Sequence, residues 1–309
     1  MKRREFLQAM SVTAASAPAW LAARATAAPA APELVFTTLT DQLTLITGGG
    51  GNVTVFNSPQ GVLLVDGGST EASRRVLKAV RNLTGARSIH TLFNTHWHHD
   101  QTGSNGELGA AGTRIIAHEN TRLWLGTAID SKWEHRVYSP LPPKALPNQT
   151  FYTTASLEFG GEKIDYGYLP QAHTDGDIYV YFRNANVLVG ADVLSAGAWP
   201  VLDYSTNGWI GGMANATQAL LDMSGPATRY IAGKGAVLSR DQVQEETTLL
   251  NTMKLRLSKL LAQGMSVQDM LAVAPASEFE ARWGDATQFI TNAWQGISRR
   301  PGELGVNIV

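Results

Sequence analysis

Asn94-Thr-His-Trp-His-His-Asp-Gln101 follows directly on the apolar run Thr91-Leu-Phe93. If the chain stays extended there, His96, His98 and Asp100 alternate and present three side chains to one rim of a sheet. Two imidazoles two residues apart suit a hydrophobic core badly. They suit a borderline-soft cation such as zinc, which binds through nitrogen. A carboxylate two residues on can take a proton from metal-activated water or bind a second metal. A polar turn with coincidental histidines is the bland alternative, and the rest of the chain argues against it.

A third imidazole, His173, sits in Ala172-His-Thr-Asp-Gly-Asp177, ahead of the strand-like Ile178-Tyr-Val-Tyr-Phe182. The run Val187-Leu-Val-Gly-Ala ends in Asp192, and Gly61-Val-Leu-Leu-Val ends in Asp66 and a glycine turn. In order and content these motifs resemble the metallo-β-lactamase-fold hydrolase superfamily, which includes glyoxalase II and the zinc β-lactamases. The resemblance covers roughly residues 35–240. It implies a four-layer αββα sandwich with C-terminal helices, a zinc site made by His96, His98 and His173, and Asp100 and Asp192 as further metal ligands.

Two positions depart from the family pattern. Where the family carries a histidine after the motif aspartate, this chain has Gln101, and where it carries a Gly-His-Gly turn, this chain reads Gly233-Lys234-Gly235. Both substitutions fall on the second metal site, so the resemblance implies about one zinc per chain. At about 4 Å and an effective dielectric near 20, an ammonium at Lys234 repels a second zinc ion by several kcal/mol. Lys234 therefore excludes that metal, ligates it as a neutral amine, or holds a substrate carboxylate. Some atypical β-lactamases of the third subclass are similar at these two places.

The chain opens Met1-Lys-Arg-Arg-Glu-Phe-Leu-Gln8 and runs through a weakly apolar stretch to Ala25-Thr-Ala27, a small-x-small cleavage site. This resembles a twin-arginine export signal over residues 1–30 and implies a periplasmic or otherwise exported protein handled by the twin-arginine machinery. Pro18 and the Ala, Ser and Thr content argue against a membrane span, which needs about 20 strongly apolar residues. The segment holds Lys2, Arg3, Arg4 and Arg24 against Glu5, so the 25 basic and 26 acidic residues of the whole chain become 21 and 25 without it, a net charge of about −4. No basic patch remains for nucleic acid or an anionic membrane, and a small-molecule substrate is the expected partner. The chain has no cysteine. An exported protein of this composition has no disulfide, and any zinc must be held by histidine and carboxylate.

Residues 31–309 read as a single domain, without linker, repeat or low-complexity run. Short β-branched runs separated by glycine and proline turns, Leu34–Phe36, Gln42–Ile46, Asn52–Phe56 and Gly61–Val65, predict an antiparallel meander. A helix capped at Ser69 or Thr70 runs to about Leu83, with Val76, Val80 and Leu83 on one face. Further helices are expected at Ser104–Ala110, Glu119–Leu125, Asn215–Met223 and Gln242–Leu261, the last with a leucine-rich core face. Residues 127–150, with Trp133, His135, Tyr138 and several prolines, read as an irregular flap near the site.

The expected activity is hydrolysis of an ester, thioester, lactone or lactam by metal-bound hydroxide. Asp100 and Lys234 are the catalytic candidates, and Gln101, Trp199 and His135 the candidate substrate contacts. A true one-zinc β-lactamase is the nearest alternative. A non-catalytic metal- or ligand-binding relative is the alternative of another class, and the retained Asp100 argues against it.

Overall fold

The computed structural model describes residues 32–300. The first sheet begins as a meander, β1 (Val35–Thr38), β2 (Leu43–Gly49), β3 (Gly51–Ser58) and β4 (Gly61–Val65), each antiparallel to the next. Helix α1 (Ser73–Thr84) then crosses over to β5 (Thr91–Phe93), which runs parallel to β4. Past the short helices α2 (His99–Thr102) and α3 (Asn105–Ala110), β6 (Arg114–His118) lies parallel to β5. Helix α4 (Glu119–Leu125) and a separate hairpin, β7 (Ile129–Ser131) and β8 (Arg136–Tyr138), precede the last strand of the sheet, β9 (Gln149–Phe151).

The second sheet takes β10 (Thr154–Phe159), β11 (Glu162–Tyr168), β12 (Ile178–Phe182) and β13 (Val187–Ala191) in antiparallel order. After α5 (Ile210–Asp222), β14 (Arg229–Ala232) adds parallel to β13, and β15 (Val237–Leu238) closes the edge. The chain ends in α6 (Arg240–Ala262), α7 (Val267–Ala272), α8 (Ser277–Trp283) and α9 (Thr287–Ser298).

Strand periodicity of two turns these elements into layers. Leu63 and Val65 of β4 face the second sheet, where they join Val180 and Phe182 of β12 and Val187 and Val189 of β13. Val62 and Leu64 face the other way, onto Val76, Leu77 and Val80 of α1. Tyr179 and Tyr181 of β12 and Leu188 of β13 likewise turn outward, to a layer built by α5, α6 and α9. Phe56 and Phe182 meet across the inter-sheet core with ring centroids 5.8 Å apart. The result is the αββα sandwich with C-terminal helices that the motifs imply. Among the described residues no helix is long and apolar enough to cross a membrane.

Several local expectations shift. Helix α1 starts at Ser73 and has no side-chain cap; Ser69 instead accepts from the amide of Ala72 in the turn before it. Leu77 takes the buried place expected of Leu83, which is 44% exposed. The meander is antiparallel from β1 to β4 as expected, and a crossover helix then brings β5 back parallel beside β4. Residues 127–150 are not irregular, since they contain the β7–β8 hairpin and β9, with Tyr138 packed on Trp97, Leu125 and Ile129. The leucines of α6 are core as expected, Leu249, Leu250 and Leu257 being buried. The export segment lies outside the described residues.

One carboxyl in this frame is costly. Glu246 of α6 is fully buried, and its Oε2 accepts from the Ser195 amide at 2.9 Å while Oε1 has no partner. Burial, only partly offset by Ser195, pushes its pKa up to about 8. The folded chain thus keeps a proton that the unfolded chain releases near 4.5, so this residue makes stability fall as pH rises from about 4.5 to about 8. Glu246→Gln keeps the acceptor for Ser195 and removes the titration. It should leave the melting temperature unchanged at pH 5 and raise it by several degrees at pH 8, as calorimetry would show.

Candidate metal centre

The metal motif does not stay extended. Strand β5 stops at Phe93, His96 lies in the loop that follows, and His98 is the N-cap residue of α2, so Asp100 projects from a helical turn. The loop from β11 to β12 brings in His173, and the end of β13 brings in Asp192. All four side chains converge. One ligand-type atom from each of His96, His98, His173 and Asp192 lies within 4.8 Å of the others.

Each imidazole has its outward nitrogen tied down. His173 Nδ1 donates to the Val201 carbonyl at 2.8 Å. His98 Nε2 donates to Asp203 Oδ2 at 3.3 Å. His96 Nδ1 donates to Thr95 Oγ1 at 3.1 Å, and that hydroxyl donates onward to Asp66 Oδ2 at 2.7 Å. Three inner nitrogens are left facing one another, His96 Nε2, His98 Nδ1 and His173 Nε2, and all three offer lone pairs once His98 gives up its second proton. The last two atoms are 2.9 Å apart. His96 Nε2 is buried without a hydrogen-bond partner, the nearest carboxylate oxygen, Asp192 Oδ2, standing 3.5 Å away. Donors bound tetrahedrally at 2.0–2.1 Å stand roughly 3.3 Å apart. The donor set and its spacing therefore fit a zinc-type cation, whose bonds would satisfy the orphaned nitrogen and separate the facing lone pairs.

Buried carboxylates brace the loops that carry these ligands. Asp66 accepts from both the amide and the hydroxyl of Thr95, at 2.9 and 2.7 Å. Asp177 repeats the device beside His173, accepting from the amide and hydroxyl of Thr174 at 2.7 and 2.9 Å. Burial holds the pKa of both acids well above the usual carboxylate range. Asp203 behaves oppositely. Burial opposes its charge, but hydrogen bonds from His98 and Thr206 outweigh burial and lower it to about 2. The sequence reading places Asp66 at a strand end and gives no role to Asp177 or Asp203. For Asp177 the signal is present, a Thr-x-x-Asp spacing next to the histidine; for Asp203 no local pattern exists.

Asp192 leaves β13 through Ala191 at φ 46°, a left-handed conformation that strains a residue with a side chain. Neighbouring His96, His173 and Lys234 overcome burial and keep its carboxyl far below the usual range. The adjacent Val193 points into the core. Gly233 must be glycine here, since a Cβ on it would fall 1.5 Å from Asp192 Oδ1.

Asp100 stays out of the ligand group, a correction to its expected place as a metal ligand. Its Oδ2 instead accepts from Lys234 Nζ at 2.6 Å. Burial works against the Lys234 charge, but Asp100 outweighs it and holds the amine above its ordinary value. Lys234 is thus an ammonium, not a neutral amine. Gln101 turns its amide group to Asp192 Oδ1 at 3.3 Å and to the Gly233 carbonyl at 3.2 Å. Asn52 clamps the same turn from β3, donating to the carbonyls of Ala232 and Gly235, both at 2.9 Å.

The centre opens into a cleft of about 370 Å³ bordered by Asp100, Asp192, Lys234, Trp133, Glu134, Arg136 and Tyr138. His135 is not on that wall. It sits exposed at the hairpin turn at φ 53°, and its neighbours on the hairpin face the cleft in its place. Gln101 is buried beneath Asp192 and does not line the cleft. Trp199 walls an adjoining recess that shares Asp192 and Lys234, stacked on Phe289 with ring centroids 4.7 Å apart. His99 stacks on Tyr138 at 4.5 Å.

The sequence profile of the metallo-β-lactamase superfamily matches residues 46–242. The chain belongs to the metallo-β-lactamase superfamily. It is thereby a hydrolase of a superfamily whose members are metal-dependent, with a His/Asp cluster able to hold the metal. Solved structures share the fold. A metallo-β-lactamase from Pontibacter korlensis is similar with a TM-score of 0.58 at 17% identity, over 71% of this chain and 99% of that one. The DIM-1 metallo-β-lactamase is similar with a TM-score of 0.57 at 19% identity, over 72% and 99%. The inverting sec-alkylsulfatase Pisa1 from Pseudomonas sp. gives a TM-score of 0.66 at 14% identity, over 87% of this chain and 50% of that one.

Burial disfavours a charged His98, but Asp203 beside it raises the pKa to about 8, whereas burial and the other two histidines lower His173 to about 3. Metal must therefore displace one proton, from His98, below about pH 8. Metal affinity should weaken about tenfold per pH unit below that point and level off above it, in titrations against a competing chelator. His173→Ala should abolish binding in the same titration.

Proposed function

We propose that this protein is a zinc hydrolase with one metal per chain that cleaves a carboxylic ester, thioester, lactone or lactam. The observation that carries the reading is the convergence of three lone pairs, each fixed by a hydrogen bond on the far side of its ring, beside a carboxylate that faces the cleft. Zinc supplies Lewis acidity there and brings the ionisation of water to about neutral pH.

The chain's own groups do the rest. Asp100, at the floor of the cleft, accepts a hydrogen bond from the attacking water and takes its proton. Lys234 pairs with Asp100 in the resting site and offers its ammonium to the negative charge that develops on a substrate oxygen. Trp133 and Tyr138 wall the cleft and limit water beside the reacting carbon. A purely binding relative has no use for a carboxylate at this place. Turnover of a chromogenic cephalosporin, aryl esters, thioesters and lactones should be lost on treatment with chelator and return with zinc. Failure to turn over any of them with zinc bound would overturn the reading.

The pairing of Asp100 with Lys234 supports a single metal, because a second cation there meets an ammonium instead of two imidazoles. Elemental analysis should find about one zinc per chain. Gln101→His with Lys234→His restores two neutral donors, and this double variant should take up a second zinc in a chelator titration. Wild-type protein that binds two zinc ions tightly would contradict the exclusion.

We further propose export by the twin-arginine route, supported by Arg3-Arg4 and Ala25-Thr-Ala27. Changing both arginines to lysine should leave precursor in the cytoplasm, read by fractionation and blotting; undiminished export of that variant would exclude the route.

A further inference from the structure

The β7–β8 hairpin reaches the ligands of the metal centre through a hydrogen bond. Trp133, in the hairpin turn, donates its indole N–H to Asp203 Oδ1 at 3.0 Å. The other oxygen of the same carboxylate accepts from His98 Nε2. The Trp133 ring also stands beside the His98 ring, with centroids 6.2 Å apart and planes tilted by 56°. We infer that Trp133 is a positioning residue for His98, acting through Asp203, and that it couples the closing wall of the cleft to metal binding. The inference rests on the zinc reading above.

Asp203 is fully buried and has four donors. Two come from its own turn, the Ser205 amide at 3.0 Å and the Thr206 hydroxyl at 2.5 Å. Thr206 is itself fixed by the buried Trp97 indole at 3.0 Å. The third is His98. Only the fourth, Trp133, comes from the hairpin, and Trp133 is only partly buried. A carboxylate has about four acceptor sites, so each donor constrains where the oxygens point. Asp203 fixes the tautomer of His98 and aims Nδ1 at the other two imidazoles. A partner one bond behind a metal ligand commonly contributes tenfold to a hundredfold to metal affinity.

The coupling also runs the other way, because linkage between two binding events is reciprocal. A cation that holds His98 holds Asp203, and Asp203 then grips the indole. The hairpin carries Glu134, Arg136 and Tyr138 into the cleft along with Trp133. Its second tie to the same turn is the Lys132 amide on Ser205 Oγ at 3.0 Å. Metal loading therefore assembles the substrate wall as well as the reaction centre.

Trp133→Phe keeps a ring in place and removes the N–H. Zinc affinity, measured against a competing chelator, should fall about tenfold in this variant, while His135→Ala, at the same turn and off the cleft, should not change it. Asp203→Asn should also weaken binding, and the double variant should bind no worse than Asp203→Asn alone, the non-additivity expected when one residue acts through the other. In the wild type, zinc should slow amide hydrogen exchange across residues 131–138, and Trp133→Phe should abolish that protection. Equal zinc affinity in wild type and Trp133→Phe, additive losses in the double variant, or no zinc-dependent protection in the wild type would each overturn the inference alone. A wild type that binds no zinc would overturn the proposed function with it. The exchange measurement on the wild type decides the matter even if a variant does not fold.

Discussion

Three imidazoles are buried in this chain with one ring nitrogen of each pointing at the others, and two of these nitrogens are 2.9 Å apart. That arrangement persists only if each ring is held from behind. The fold supplies a different holder for each: a threonine relay to Asp66, the carboxylate of Asp203, and the carbonyl of Val201. Much of the unusual chemistry around the site follows from this requirement, including strained Ala191, glycine at position 233, and two acids whose pKa burial raises. Such groups cost stability, and the extensive apolar core between and outside the two sheets offsets them.

The paired use of threonine and aspartate has a simple logic. A loop that must present a histidine has unpaired amide groups, and burying them unpaired is costly. Thr95 and Thr174 each offer an amide and a hydroxyl to one carboxyl group, so a single acid satisfies both and fixes the loop at the residue next to the ligand. Asp66 reaches its threonine from a neighbouring strand end, at a left-handed backbone position that aspartate tolerates. Asp177 does so from three residues away along the chain.

The fold is shared with β-lactamases and with an alkylsulfatase, and a shared fold does not name a substrate. What separates this chain is local. Lys234 and Asp100 neutralise each other where the family pattern has two further histidines, and Gln101 spends its amide on Asp192 and a backbone carbonyl. The ion pair is partly exposed, the Lys234 side chain being 63% accessible. Its contribution to stability is therefore small, on the order of 1 kcal/mol or less. Its consequence is electrostatic: it sets the charge at the floor of the cleft.

The separate strands and helices were legible in the chain because strands alternate with period two and α6 repeats near 3.6, both patterns depending only on neighbours in sequence, while their stacking as αββα came from the resemblance of the motifs to the superfamily. For the centre, His96 and Asp192 each stand at or just beyond the end of an apolar run, and a strand end must lie at the rim of its sheet; the grouping with His98 and His173 came from the resemblance, and the four side chains converge in the fold. Asp203 had no such mark. It comes to His98 from 105 residues away, through a turn whose path is set by packing of the outer helices. The partnership of Asp100 with Lys234 depended on a helical turn at α2 that replaced an extended run, which left the carboxylate outside the four-ligand group and beside the ammonium. The choice of Trp133 over His135 for the cleft was made by the hairpin, whose pairing of Ser131 with Arg136 decides which side chains face inward. Periodicity is a local property and can be read along the chain; which groups face each other across a buried site is settled only when distant segments pack, because burial is what makes their pairing obligatory.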